Sequence, residues 1–205
     1  MYLTRTTRVM AAGLVVAVLG ALPLWAETYQ IDATHSSVDF SIRHLVGITK
    51  GKFTEFSGAI VYDEKAPEKS SVEAVIKVGS IDTENEKRDG HLKAPDFFDA
   101  EKYPEITFKS TKVEKGEGNK LVVTGDFTMH GVTKSIHFPV EVLGTGTNPW
   151  TNMAMAGFSS GITLLRSDYG VNNWADKAGV VGDEVKVGIT IESAVPPPPP
   201  PAEKK

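Results

Sequence analysis

Between Val38 and Ile191 a period-two alternation of apolar and polar residues recurs in segment after segment. That period belongs to strands with one buried face, and it leaves little room for a helical core. Val38, Phe40 and Ile42 alternate with Asp39, Ser41 and Arg43. Val72, Ala74, Ile76 and Val78 follow the pattern less cleanly, and Ile106 with Phe108 marks a short strand after Pro104. Leu121, Val123, Gly125, Phe127 and Met129 form a long strand, and Ile136, Phe138, Val140 and Val142 form the next. Met153, Met155, Phe158, Ile162 and Leu164 suggest two further pieces, bent at the glycines between them. Val185, Val187, Ile189 and Ile191 close the series. Turn signals at Glu117-Gly118-Asn119 and His130-Gly131 join neighbouring strands as hairpins. An antiparallel meander that shares one inward face either leaves edges or closes. The pattern supports eight to ten strands. A barrel of about eight has an interior able to hold one small ligand.

One segment departs from the alternation. Residues 82–93 are polar and compatible with a helix, with Thr83 as the expected N-cap and Glu86 as its reciprocal partner. Ala94-Pro95 ends it, and Asp96-Phe97-Phe98-Asp99 follows with two adjacent aromatics. A polar turn of helix leading into paired Phe residues suits a short flap over a barrel mouth.

The ends read differently from the body. Residues 1–26 combine Arg5 and Arg8, an apolar run from Val9 to Leu22, and Pro23 and Ala26 at the expected cleavage point. This is the pattern of a secretory signal peptide, implying export to the periplasm. Residues 195–205 contain six consecutive prolines, Pro196 to Pro201, and are expected to be a solvated, proline-rich disordered tail. The folded domain is thus expected over residues 27–194. Without the leader the chain keeps 20 basic and 26 acidic residues. With no Lys/Arg cluster, this argues against a nucleic-acid partner. There is no cysteine, which excludes disulfides, thiolate nucleophiles and thiolate metal sites.

Catalytic motifs do not assemble. Gly157-Phe158-Ser159-Ser160-Gly161 matches G-x-S-x-G, but strand-like sequence follows it and no histidine lies downstream of Ser159. The match reads as a glycine-flanked strand bend. The histidines, His35, His44, His91, His130 and His137, lack the spacing of a helical metal site. His130 and His137 flank or follow a hairpin turn and are able to face each other across strands. No glycine-rich phosphate loop is present. No catalytic residue, metal or cofactor is therefore assigned. What remains is aromatic: all nine phenylalanines lie in the body, where they either fill a core or line a cavity.

Several stretches together resemble the YceI-like family. They are Tyr29 to Phe40, with Asp32-Ala33-Thr34-His35-Ser36 inside it, then Arg43-His44 and Gly51-Lys52-Phe53. The most specific is Arg88-Asp89-Gly90-His91-Leu92-Lys93-Ala94-Pro95-Asp96-Phe97-Phe98-Asp99. Gly125 to Lys134, Arg166-Ser167-Asp168-Tyr169-Gly170 and Val181 to Val185 complete the resemblance. It implies an all-β, extended lipocalin-like antiparallel barrel that sequesters a long amphiphile, such as an isoprenoid quinone or a polyprenyl pyrophosphate, and no catalysis.

The lumen residues expected to meet the lipid are Phe40, Ile42, Phe53, Phe97, Phe98, Phe108, Phe127, Met129, Phe138 and Phe158. The head-group candidates are His35, Arg43, Asn85, Arg88, His91 and Arg166, with arginine suited to a pyrophosphate through paired hydrogen bonds. Asn85 could equally cap a turn. Contact with a membrane or a membrane protein and a homodimeric state are compatible with such a carrier and stay open. The alternative is a stress-related periplasmic interaction protein with a filled core or a fatty-amide ligand.

Overall fold

The computed structural model describes residues 27–174 and 180–197. The expected signal peptide lies outside the described residues, as does most of the proline tail. Eleven strands are present: β1 Glu27–Ile31, β2 Ser37–His44, β3 Gly47–Phe53, β4 Phe56–Tyr62, β5 Ser71–Lys77, β6 Ile81–Asp82, β7 Glu105–Lys115, β8 Lys120–Met129, β9 Val132–Thr147, β10 Ala154–Leu165 and β11 Val181–Ala194. Among the described residues there is one α-helix, α1, Glu86–Lys93.

Eight of the strands close a ring in the order β1-β4-β5-β7-β8-β9-β10-β11, sealed by Gln30 opposite Ala194 and Ile31 opposite Ser193. β11 is long enough to serve two partners. Its last residues pair with β1, and Val181 to Thr190 pair with β2. The hairpin β2–β3 and the short β6 extend the wall from there.

Register follows the alternation read from the sequence. Phe108 faces Phe127, Val123 faces Phe138, Leu121 faces Val140, and Val187 is opposite both Ile162 and Phe40. Each pair puts apolar side chains together on the inner face, and a slip by one residue would turn all of them outward. Two inward glycines have a definite steric reason. A Cβ on Gly51 would lie 2.4 Å from Phe40 Cζ, and one on Gly125 would lie 2.5 Å from Phe108 Cζ. The phenyl rings lie across the missing side chains, as aromatic residues do over glycines of strongly curved sheets.

Several elements differ from the sequence expectation. The Phe56-Gly58-Ile60-Tyr62 alternation forms β4, which the sequence reading passed over. The pair Ile106 and Phe108 opens an 11-residue strand rather than a short one. Val78 begins a 3-10 turn, Val78–Ser80, instead of ending a strand. Met153 to Leu164 gives one strand with a register shift between Gly157 and Phe158, not two pieces. Ser159 and Ser160 therefore sit within a ladder, and Ser160 Oγ donates to the Pro139 carbonyl at 2.6 Å. His130 and His137 do not face each other. His130 Nδ1 meets the Tyr169 carbonyl at 3.1 Å, and His137 is opposite Thr124.

The flap is present with a different cap. Asn85 is the N-cap of α1, and its side chain accepts from Arg88 N at 3.0 Å. Thr83 is buried instead: its backbone N–H donates to Asp89 Oδ1 at 2.9 Å and its hydroxyl to the same oxygen.

Apolar packing is not one continuous core. A cluster at the flap end holds Val38, Phe53, Val78, Ile81, Phe97, Ile106, Met129, Tyr169 and Val171. A second holds Tyr29, Ala156, Phe158 and Ile191, and a third Val113, Leu121 and Val123. Half-buried Phe56 packs against the first and second, and Tyr62, Val140 and Val142 against the second and third.

Candidate ligand-binding lumen

The barrel encloses a cavity of about 360 Å³. That volume falls in the range of small-molecule sites. Its wall is almost wholly apolar, contributed by every strand of the ring and by the flap. All nine phenylalanines line it: Phe40, Phe53, Phe56, Phe97, Phe98, Phe108, Phe127, Phe138 and Phe158. Ile42 and Met129 also line it, so the ten lumen candidates are brought together. They do so because each occupies the inward parity of its strand, or, for Phe97 and Phe98, the turn that folds back beneath α1. Phe97 N–H donates to the Ala94 carbonyl and Phe98 N–H to that of Leu92, both at 3.0 Å.

The six polar candidates divide. Arg88, His91 and Arg166 line the cavity at the flap end, whereas His35, Arg43 and Asn85 do not. Arg43 occupies the outward parity of β2, opposite Ile48, and its Nε donates to the Leu45 carbonyl at 3.1 Å. Asn85 is consumed as the helix cap. His35 lies on the outer wall in the β1–β2 turn, with Nδ1 2.8 Å from Asp32 Oδ2 and 3.9 Å from Glu192 Oε1. The hydrogen bond with Asp32 pushes the His35 pKa up and the Asp32 pKa down.

Asp32, His35 and Glu192 are the one grouping among the described residues with metal-ligand donors close together, within 4.8 Å. Backbone bonds show what it does: Asp32 N–H donates to the Glu192 carbonyl, and Glu192 N–H donates to Ser36 Oγ, each at 2.9 Å. Asp32 and Ser36 thereby pin the β1–β2 turn to Glu192 of β11.

Arg88 donates from Nε to Thr83 Oγ1 and from Nη2 to the Thr83 carbonyl, each at 2.7 Å. Its Nη1 amino group makes no hydrogen bond among the described residues. His91 Nε2 lies 2.9 Å from Asp96 Oδ2, which also accepts from Asn173 Nδ2 at 2.8 Å. The imidazole packs edge-on against Phe97 and Trp174, with centroids at 4.8 and 5.4 Å. Arg166 is different again. It is 4% exposed and donates to the carbonyls of Gly182, Val171, Asn173 and Val181 at 2.8, 2.8, 2.9 and 3.3 Å. Burial pulls its pKa down, and nearby Asp183 opposes that shift. With five N–H donors in all, Arg166 is largely spent on backbone.

The sequence reading missed Trp174, which lines the cavity and closes over His91. The signal was a lone aromatic in the polar run Val171-Asn172-Asn173-Trp174. It also missed Thr83 as a wall residue, having assigned it to the helix cap.

Comparison with known proteins agrees with this architecture. Residues 29–193 match the YceI-like domain. A UPF0312 protein of Vibrio parahaemolyticus is 44% identical over 167 residues, covering 78% of this chain and 86% of the relative. Protein YceI of Escherichia coli is 36% identical over 170 residues, covering 82% and 86%. Among solved structures, Burkholderia cenocepacia BcnA superimposes with a TM-score of 0.73 at 27% identity, covering 79% of this chain and 98% of that one. A polyisoprenoid binding domain from Saccharophagus degradans superimposes at 0.63 with 17% identity, covering 84% and 99%, and at that identity it speaks for the fold alone. By domain match, sequence identity and barrel architecture together, the chain belongs to the YceI-like family.

Proposed function

We propose that the protein is a non-enzymatic periplasmic carrier or store that sheathes the tail of a long isoprenoid lipid, either an isoprenoid quinone or a polyprenyl pyrophosphate. The observation that carries this reading is the phenylalanine-lined cavity, with Arg88, His91 and Arg166 lining it at the flap end. An apolar tail gains roughly 0.8 kcal/mol for each CH₂ equivalent removed from water. About ten buried equivalents therefore supply about 8 kcal/mol, comparable with the cost of association and ordering of the chain. The head group sits at the flap, where the Nη1 group of Arg88 and the ring of His91 are the available polar contacts. A pyrophosphate uses the arginine fork, and a quinone carbonyl needs one donor. The Saccharophagus degradans domain, described as polyisoprenoid binding, shares this barrel fold. The leader-like residues 1–26 support the compartment. The rival reading, an interaction protein with a filled core, has less support because the barrel holds a cavity of about 360 Å³.

The test is extraction. Protein purified from its native periplasm is expected to release a stoichiometric isoprenoid lipid into organic solvent, identified by mass spectrometry. Absence of such a lipid, together with no binding of added quinone or polyprenol, overturns the reading.

A further inference from the structure

The β2–β3 hairpin ends in a two-residue loop, Leu45-Val46, between the paired residues His44 and Gly47. Loops of this length favour Gly, Asn or Asp, because they demand positive φ and face water. Here the first loop residue is leucine, held at φ 50°. Val46 is fully exposed, Leu45 is 50% exposed and Ile48 is 64% exposed. The chain thus places three aliphatic side chains in water and accepts left-handed backbone at a γ-branched residue to do so. The β8–β9 hairpin, His130-Gly131, places a glycine at its second loop position, at φ 75°, where the β2–β3 loop has valine. A local rule broken without a packing gain marks a functional feature.

Position and charge identify what the tip meets. His44 and Thr49, which flank it, both line the lumen, so the tip continues the cavity wall outward. Next to the tip the hairpin carries Arg43 and Lys50 and no acidic residue, in a chain whose net charge is −4, while Lys52, farther back, is opposite Asp39 and 3.8 Å from Asp82. Arg43 and Ile48 are opposite each other on the outer face, with Lys50 opposite Ser41 beside them. An aliphatic tip set in a basic collar fits an anionic phospholipid surface, where apolar side chains enter the acyl boundary and cations meet the head groups.

We propose that the Leu45-Val46-Ile48 tip docks this protein on anionic phospholipid bilayers, placing the flap end of the lumen against the membrane. The proposal rests on the carrier reading for its purpose, but its test does not. The protein purified from its native periplasm is mixed with vesicles of phosphatidylglycerol and phosphatidylethanolamine, or with neutral phosphatidylcholine vesicles, and floated on a density gradient.

The expected result is flotation with the anionic vesicles only, weakened by added salt. Val46→Asp should weaken vesicle binding by about tenfold or more, and Val46→Trp should strengthen it. Arg43→Gln with Lys50→Gln should remove the preference for anionic lipid. Polyprenol binding should survive Val46→Asp, since Val46 lies outside the cavity, which also reports that this variant is folded. Equal flotation of wild type and Val46→Asp overturns the proposal, as does equal binding to neutral vesicles. A dimer seen by light scattering that Val46→Asp dissociates overturns it in favour of a second copy. Tip-dependent flotation of a protein that binds no isoprenoid upholds the docking and removes the carrier. Isoprenoid binding without flotation does the reverse.

Discussion

Arg166 illustrates how a residue type can mislead about its job. An arginine near a barrel mouth suits a phosphate, yet this one gives four hydrogen bonds to carbonyls of the segment that follows it and of β11. Removing it strands buried acceptors, whose loss of hydration is not repaid. Arg166→Met is expected to destabilise the fold by about 3 kcal/mol. Arg166→Lys should recover less than half of that, because an ammonium lacks the planar fork. Urea unfolding with an unchanged m-value measures both. Unchanged midpoints with weakened lipid binding would mean that the guanidinium serves ligand instead. Parity already held the answer for another candidate. Val38, Phe40 and Ile42 face inward, so Arg43 must face out, and the structure puts it there. For Arg88 and His91 no periodicity applied, because both lie on a short helix with no apolar stripe.

The flap is an element held by few bonds. Helix α1 has no buried residue, so its position depends on Asn85 at its start and on Asp89, which binds both Thr83 N–H and the Thr83 hydroxyl. Arg88 clasps the same threonine from its other side. Asp89→Ala removes two hydrogen bonds worth about 1 kcal/mol each, so amide exchange in Glu86–Lys93 is expected to accelerate about 30-fold while the β8 and β9 amides keep their protection. Equal exchange in variant and wild type would show that packing of Phe97 and Phe98 alone fixes the flap. The cap was misread from sequence because Thr83 and Asn85 both satisfy the N-cap rule, each three residues before a plausible partner. Burial decides it: Thr83 is drawn inward by Asp89 and Arg88, leaving Asn85 at the exposed start. Strand existence was largely legible from alternation. The bulge at Gly157/Phe158 was legible only as a bend, since one bulged strand and two short strands have the same apolar pattern.

At the scale of the whole barrel, closure was not visible in the periodicity. The seal between β1 and β11 joins residues at opposite ends of the domain, and β11 divides its length between β1 and β2. That division lets the hairpin β2–β3 widen one end of the ring while the other end stays at eight strands. Apolar wall residues gain dispersion contacts when a ligand packs against them. A lipid that binds the folded barrel alone must therefore raise its stability by mass action, by about 2.7 kcal/mol at a hundredfold excess over Kd. For a domain of this size that corresponds to a rise in Tm of about 5–10 °C between lipid-extracted and reloaded protein. Ala74 lines the lumen in the middle of β5, opposite Gly58 and Phe108. Ala74→Trp fills that space with protein instead of ligand, so the variant should show little further rise on addition of polyprenol. Calorimetry of the two proteins, each with and without lipid, makes the comparison. A wild-type Tm indifferent to polyprenol and quinone alike would mean that the cavity is not where such a lipid binds.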